Sequence, residues 1–317
     1  MKRPLGFSHV EARFHAALAQ KKLHHAWLFH GLSGIGKSML AKALAADCLC
    51  LNPNLHGTAC YRCHACLMLE QGAHPDYLGV SRLWDSKKKR EKRDITVQQV
   101  RELLDFLSLS SFDHGYRVVL IDCLDDLNHQ ASNALLKGLE EPSAGGVLLL
   151  VCHDVHHAMP TIRSRCLLQA CPPLNQEDCS NVLGTFCLPE ALLPHATVWA
   201  NGRVGGIDVL SSPEAGSAAL TLHHSVSKLP RCDLAELQET LQSAVSHIPH
   251  PLIARIVFMA LRVQTATSVK SWKNKTITLN ALQGILRWPN DVHRHTLRPV
   301  PTLFDRMMQL RIALRKA

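Results

Sequence analysis

Gly31-Leu32-Ser33-Gly34-Ile35-Gly36-Lys37-Ser38 fits the phosphate-loop pattern of Gly, four residues, Gly, Lys and then Ser or Thr. The flanks give the motif its weight. Ala26-Trp27-Leu28-Phe29-His30 is a short apolar run, as a buried parallel strand requires. Met39 to Leu49 is rich in Ala and Leu and reads as a helix. Gly31, Gly34 and Gly36 therefore occupy a strand-to-helix turn, where backbone N–H groups and the helix N-terminus face an anion. In such a loop Lys37 reaches the β- and γ-phosphates and Ser38 holds Mg²⁺. The competing reading is a glycine-rich surface turn.

The chain has 317 residues, enough for two or three domains, and its 46% hydrophobic and 19% charged residues exclude a disordered polymer. No apolar run approaches the roughly 20 residues of a membrane helix. Met1 to Gly6 lacks the apolar core of a secretion signal, so a cytoplasmic location is expected. Twelve cysteines are many for that compartment, where disulfides are rare, so some should bind metal. A net charge of +9 suits a neighbour of nucleic acid or an acidic partner, though many unrelated proteins share it.

Cys60, Cys63 and Cys66 form two overlapping CxxC steps, with Cys50 at the end of the preceding helix. Four thiolates at this spacing suit a closed tetrahedral zinc site with structural purpose and no open position. Cys48 competes with Cys50 as fourth ligand, and a redox pair among the other three is the alternative. His56 and His64 lie nearby and are read as solvated. Lys87 to Arg93 is a basic run without apolar rhythm, either a DNA-phosphate contact or a solvated loop.

Thr96 can cap a helix to about Leu107, with Val100, Leu103, Leu104 and Leu107 on one face. Arg117-Val118-Val119-Leu120-Ile121-Asp122 is an apolar strand ending in an acid, placed to help hold Mg²⁺ or merely to cap a turn. Cys123 follows it. Asp125 and Asp126 come next, but an extended chain points them away from the direction of residue 123. A helix over 131–141 is stopped by Pro142, and Val147 to Val151 is another buried strand. The alternation of strands and helices predicts an α/β sheet with crossover helices. Pro172-Pro173 marks a boundary. Short helical patterns then run to about residue 210. Beyond them Leu252, Ile253, Ile256, Val257, Ala260 and Leu261 form one helical face, and Leu303, Met307, Leu310 and Leu314 another.

The order of these features resembles the bacterial DNA polymerase III clamp-loader ATPase family. The phosphate loop, the four-cysteine insertion, His74-Pro75-Asp76-Tyr77, VVLID, NALLK, LEEP and Ser164-Arg165-Cys166 carry the resemblance over roughly residues 1–210. The last third is similar only in length and helical character. The resemblance implies a RecA-like AAA+ phosphate-loop domain with a parallel sheet over 1–170, its zinc insertion at about 50–66. It further implies a small helical lid over 171–210 and an all-α collar over 211–317 that joins subunits in a ring-like pentamer.

Motor subunits of that family, gamma and tau, carry Asp-Glu after the VVLID strand and a nucleotide-sensing arginine on the lid. Here those places hold Asp122-Cys123 and Gly205, with Arg203 two positions out of register. The departures resemble the delta-prime branch, which does not hydrolyse ATP and offers the arginine of Ser-Arg-Cys, here Arg165, to a neighbour's ATP site. Such a stator belongs to the polymerase holoenzyme, partners gamma/tau and delta, and helps load the sliding clamp onto primed DNA. The expected cofactors are structural zinc at Cys50, Cys60, Cys63 and Cys66, and ATP with Mg²⁺ at Gly31, Gly34, Gly36, Lys37, Ser38 and Asp122, bound without turnover. An active motor ATPase and a zinc-stabilised nucleic-acid-binding protein with a vestigial loop are the other two readings. For Arg165 the competing reading is a surface ion pair.

Overall fold

The structure is a computed structural model that describes residues 3–86, 90–92, 94–112, 115–229, 231–268, 272–295 and 297–315. The chain divides into two compact units, Met1–Leu174 and Asn175–Ala317.

The first unit is built on a five-stranded sheet. Its strands are β1 (Ala26–His30), β2 (Tyr77–Val80), β5 (Arg117–Ile121), β6 (Gly146–Cys152) and β7 (Leu167–Ala170), and β3 (Trp84–Asp85) and β4 (Arg90–Glu91) pair separately. The order is β2-β5-β6-β1-β7 and every pairing in the sheet is parallel. Both faces are covered, which explains why the strands read as continuous apolar runs. Trp27 and Phe29 of β1 point to one face, with Val118, Leu120, Leu149 and Val151. Leu28 points to the other, with Val119, Ile121, Leu148 and Leu150. Phe14 of α1 (Ser8–Ala19) and Leu40 and Leu44 of α2 (Lys37–Leu49) close the first face. α3 (His64–Glu70) lies between α2 and β2 in sequence. Leu103 and Leu107 of α4 (Val97–Ser108) and Leu135 and Leu139 of α5 (His129–Glu140) close the second face. Thr96 caps α4 through a reciprocal box with Gln99. The short α6 (Pro160–Arg163) precedes β7.

Parallel strands bring the carboxyl ends of β1, β5 and β6 to one edge, where open α/β sheets place their ligands. The loops at that edge are the phosphate loop, residues 122–128 and residues 153–159.

The second unit is helical: α7 (Gln176–Leu183), α8 (Leu193–Ala200), α9 (Pro213–Ser227), α10 (Leu234–His247), α11 (His250–Ser268), α12 (Trp272–His295) and α13 (Pro299–Arg315). The faces expected on α11 and α13 are buried, from Leu252 to Leu261 and from Leu303 to Leu314. α8 packs against α11, and α12 against both α11 and α13. Trp199 and Trp288 are fully buried, and each finds a hydrogen-bond acceptor, His223 Nδ1 at 3.2 Å and the Pro299 carbonyl at 3.1 Å. Among the described residues no helix is long and apolar enough to cross a membrane.

Candidate functional site: the phosphate loop and its strand-end neighbours

Backbone geometry dictates the glycines. Gly31 follows β1 with φ +149°, and a Cβ there would stand 2.2 Å from the Cys171 carbonyl oxygen. That carbonyl cannot retreat, because the Cys171 N–H donates to the His30 carbonyl at 2.8 Å. Gly36 has φ +99° and sits immediately before the first residue of α2. Only glycine takes both positions without strain.

Lys37 opens α2 and is 3% exposed. Its ammonium turns back on the loop, donating to the Gly31 carbonyl at 2.6 Å and the Leu32 carbonyl at 2.8 Å. It also lies 3.2 Å from His153 Nδ1. Burial lowers its pKa, against the opposing pull of nearby thiols and Asp125. A cation held by two carbonyls and a ring nitrogen, all neutral, is poised to exchange them for an anion. Ser38 is half-buried one residue further on.

Asp122 lies just past β5, exposed, its N–H donating to the Val80 carbonyl at 3.0 Å. Cys123 occupies the next position, and burial first, then Asp126 and Asp125, push its thiol pKa up. The structure corrects the expectation that Asp125 points away from residue 123. Leu124–Asp126 is a 3₁₀ turn, not extended chain. It carries the Asp125 carboxylate back to within 3.5 Å of Cys123 Sγ. There it accepts the His153 N–H at 2.7 Å and stands 3.5 Å from Cys152 Sγ and 3.8 Å from His157 Nδ1. Sequence reasoning missed Asp125 and His153 because their approach depends on that turn and on the register of β5 with β6. Desolvation and the Lys37 charge lower the pKa of His153, and the same two causes lower that of His30.

The cysteine insertion lies at the other end of α2. Cys50, Cys60, Cys63 and Cys66 present sulfurs all within 4.8 Å of one another, and among the described residues Cys48 is outside this group. Cys50 Sγ is 3.6 Å from Cys60 Sγ and 3.9 Å from Cys63 Sγ. Four sulfurs about 2.3 Å from a tetrahedral zinc stand about 3.8 Å apart. The Cys60 and Cys63 N–H groups each donate to a cysteine sulfur at 3.3 Å. Cys63 is drawn down to about 6, with desolvation opposing and backbone and thiol hydrogen bonds winning. The donor set fits zinc. His56 and His64 are exposed.

Asp47, on the last turn of α2, ties this insertion to the core. It is fully buried and takes Arg3 through both oxygens at 3.0 and 2.6 Å. It also accepts from His15 at 2.7 Å and from the Ala59 N–H at 2.7 Å.

Arg165 follows α6. It is partly exposed, ion-paired with Glu140 at 2.8 Å and bonded to the Thr161 carbonyl at 3.0 Å. In the second unit Arg255, buried on α11, binds the Arg203 carbonyl and, at 2.8 Å, the Gly205 carbonyl. A residue 50 positions away thus fixes the backbone around Gly205. Of the basic run, Lys87–Lys89 and Arg93 lie outside the described residues.

A parallel sheet of order β2-β5-β6-β1-β7, with a phosphate loop after its interior strand β1, and a helical second unit define an AAA+ phosphate-loop protein. A family model described as "DNA polymerase III, delta subunit" matches residues 7–175, more than half of the chain, and the chain belongs to that family. It is similar to DNA polymerase III subunit delta' of Pseudomonas aeruginosa, 44% identical over 148 residues, 47% of this chain and 43% of that one. It is also similar to DNA polymerase III subunit gamma of Buchnera aphidicola subsp. Schizaphis graminum, 31% identical over 209 residues, 64% of this chain and 55% of the relative. The matched stretch thus spans about half the length of these curated relatives. A solved DNA polymerase III gamma subunit-related protein of Thermotoga maritima shares the fold, with TM-score 0.51 and 14% identity over 95% of this chain and 100% of that one.

Proposed function

We propose that the chain is the delta-prime stator of a bacterial clamp loader. It assembles with gamma/tau motor subunits and delta in the cytoplasm, and helps load the sliding clamp onto primed DNA. The observation that carries this reading is the strand end after β5. A thiol, Cys123, stands where a motor needs a carboxylate, and the carboxylate that returns, Asp125, is already engaged by the His153 N–H at 2.7 Å. A carboxylate so engaged is poorly placed to orient an attacking water. Gly31, Gly34, Gly36, Lys37, Ser38 and Asp122 then bind ATP and Mg²⁺ without turning them over.

Arg165 acts in trans. An arginine reaching a neighbour's γ-phosphate stabilises the charge that develops there. In the isolated chain its partner is Glu140, and both side chains are solvent-accessible. Exposed pairs of this kind are worth about 0–1 kcal/mol, so Glu140 releases Arg165 at little cost. Cys50, Cys60, Cys63 and Cys66 hold structural zinc, which couples to folding rather than to chemistry. Residues 171–210 serve as lid and 211–317 as collar.

DNA-stimulated ATP turnover of a reconstituted clamp loader tests this. Arg165→Ala should assemble normally yet lower turnover clearly, and the chain alone should not hydrolyse ATP. Unchanged turnover would leave Arg165 structural. Hydrolysis by the chain alone at a motor's rate would make it an ATPase.

A further inference from the structure

We infer that Cys123, Asp125 and His153 form a second metal site, for a thiophilic divalent cation such as Zn²⁺ or Co²⁺, beside the phosphate loop. The inference stands independently of the clamp-loader reading.

The three residues come from two strand ends. Cys123 and Asp125 lie on the turn after β5, and His153 is the first residue past β6. Their ligand atoms, one sulfur, one carboxylate oxygen and one ring nitrogen, all lie within 4.8 Å of one another. The sheet makes this convergence. β5 and β6 pair up to Ile121 and Leu150, so the turn after β5 and the end of β6 emerge side by side. Asp125 is then fixed between them by the His153 N–H and is not free to swing into solvent.

The donor set selects the cation. Mg²⁺ takes oxygen ligands in octahedral geometry and has no use for a thiol or an imidazole. A thiolate, an imidazole and a carboxylate suit a borderline or soft divalent ion. One thiolate and one carboxylate also balance its two charges. Three protein ligands leave a fourth position open, unlike the closed Cys₄ cluster. Cys152 Sγ, 3.5 Å from Asp125, supplies a further sulfur close by.

The site is wired to Lys37 through one ring. A neutral imidazole has a single nitrogen lone pair. Here His153 Nδ1 lies 3.2 Å from the Lys37 ammonium, which can only donate. If a metal takes the ring's lone pair, through either nitrogen, the other nitrogen carries hydrogen and cannot accept from Lys37. Metal on His153 and the Lys37–His153 hydrogen bond therefore exclude each other, and a bound ion leaves Lys37 with the loop carbonyls alone.

The test adds Co²⁺ to the full chain purified with its Cys₄ cluster filled by zinc, and follows the thiolate-to-cobalt charge-transfer absorption. One equivalent should produce the band. Cys123→Ser should abolish it, and His153→Gln should weaken cobalt binding at least tenfold. Asp125→Asn, which keeps an acceptor for the His153 N–H, should also weaken binding and guards against a folding defect in the cysteine variant. Lys37→Met removes the competing donor and should tighten binding severalfold. No band in the wild-type chain, or a band that survives Cys123→Ser, overturns the proposal. So does an Asp125→Asn variant that binds cobalt as tightly as wild type.

Discussion

Helix α2 carries a buried charge near each end, and the two are treated in opposite ways. Asp47, near its C-terminus, is 4% exposed and meets a guanidinium, an imidazole and a backbone N–H. Lys37, at its N-terminus, is 3% exposed and meets only two carbonyls and one ring nitrogen. The Asp47 end is satisfied from within the chain. It locks the N-terminal arm, α1 and the cysteine insertion to the helix. Among the described residues no carboxylate pairs with the Lys37 ammonium, and burial lowers its pKa against the weaker pull of nearby thiols and Asp125. One end holds the fold together. The other keeps stability in reserve for a ligand.

The largest effect should follow from Asp47→Ala. Removing one partner of a buried ion pair leaves the other uncompensated and costs about 3–5 kcal/mol. Here Arg3, His15 and the Ala59 N–H all lose their acceptor. The midpoint of urea unfolding should drop accordingly, and the zinc content should fall with it. A loss below about 1 kcal/mol, the range of an exposed pair, would erase the contrast between the two ends.

The two ends were not equally legible in the sequence. The phosphate loop is contiguous, and Gly31 and Gly36 announce their backbone needs locally. The Cys₄ cluster is nearly as local, spanning 17 positions from Cys50 to Cys66. Asp47 gave one available signal, a lone acid in the apolar run Ala45-Ala46-Asp47-Cys48-Leu49, but its partners Arg3 and His15 lie on another segment. Asp125 was visible but expected to point away from residue 123, whereas the 3₁₀ turn over Leu124–Asp126 brings its carboxylate back toward Cys123. Its neighbour His153 comes from just past β6, 28 residues on, through sheet register that no local pattern encodes. The same distance effect hid the hold of Arg255 on the Gly205 backbone.

A smaller effect of opposite sign is expected from Lys37→Met. The substitution removes a cation whose burial is uncompensated and keeps apolar volume in the same place. Stability should stay level or rise by about 1 kcal/mol, as replacing buried charge with well-packed apolar groups often does. Binding of MgATP to the chain should be lost in the same variant. A loss of stability as large as that of Asp47→Ala would show that Lys37 is structural and that the loop end is as closed as the other.

The smallest effect separates the ends by pH. His30 ends β1 beside the phosphate loop, and desolvation, then Lys37, then His156 lower its pKa. An unperturbed histidine titrates near about 6.5. Between that value and the lower one of the folded chain, the unfolded chain binds more protons. Stability therefore rises with pH across this window and is lost as pH falls below about 6.5. At pH 7.5 both states are neutral at His30 and nothing is lost. His30→Gln removes the difference, so with zinc in excess the loss of unfolding free energy between pH 7.5 and 5.5 should shrink. Equal losses in wild type and variant would show that His30 titrates alike in both states. The uncompensated field of Lys37 would then not extend along β1, and the open character of the loop end would rest on His153 alone.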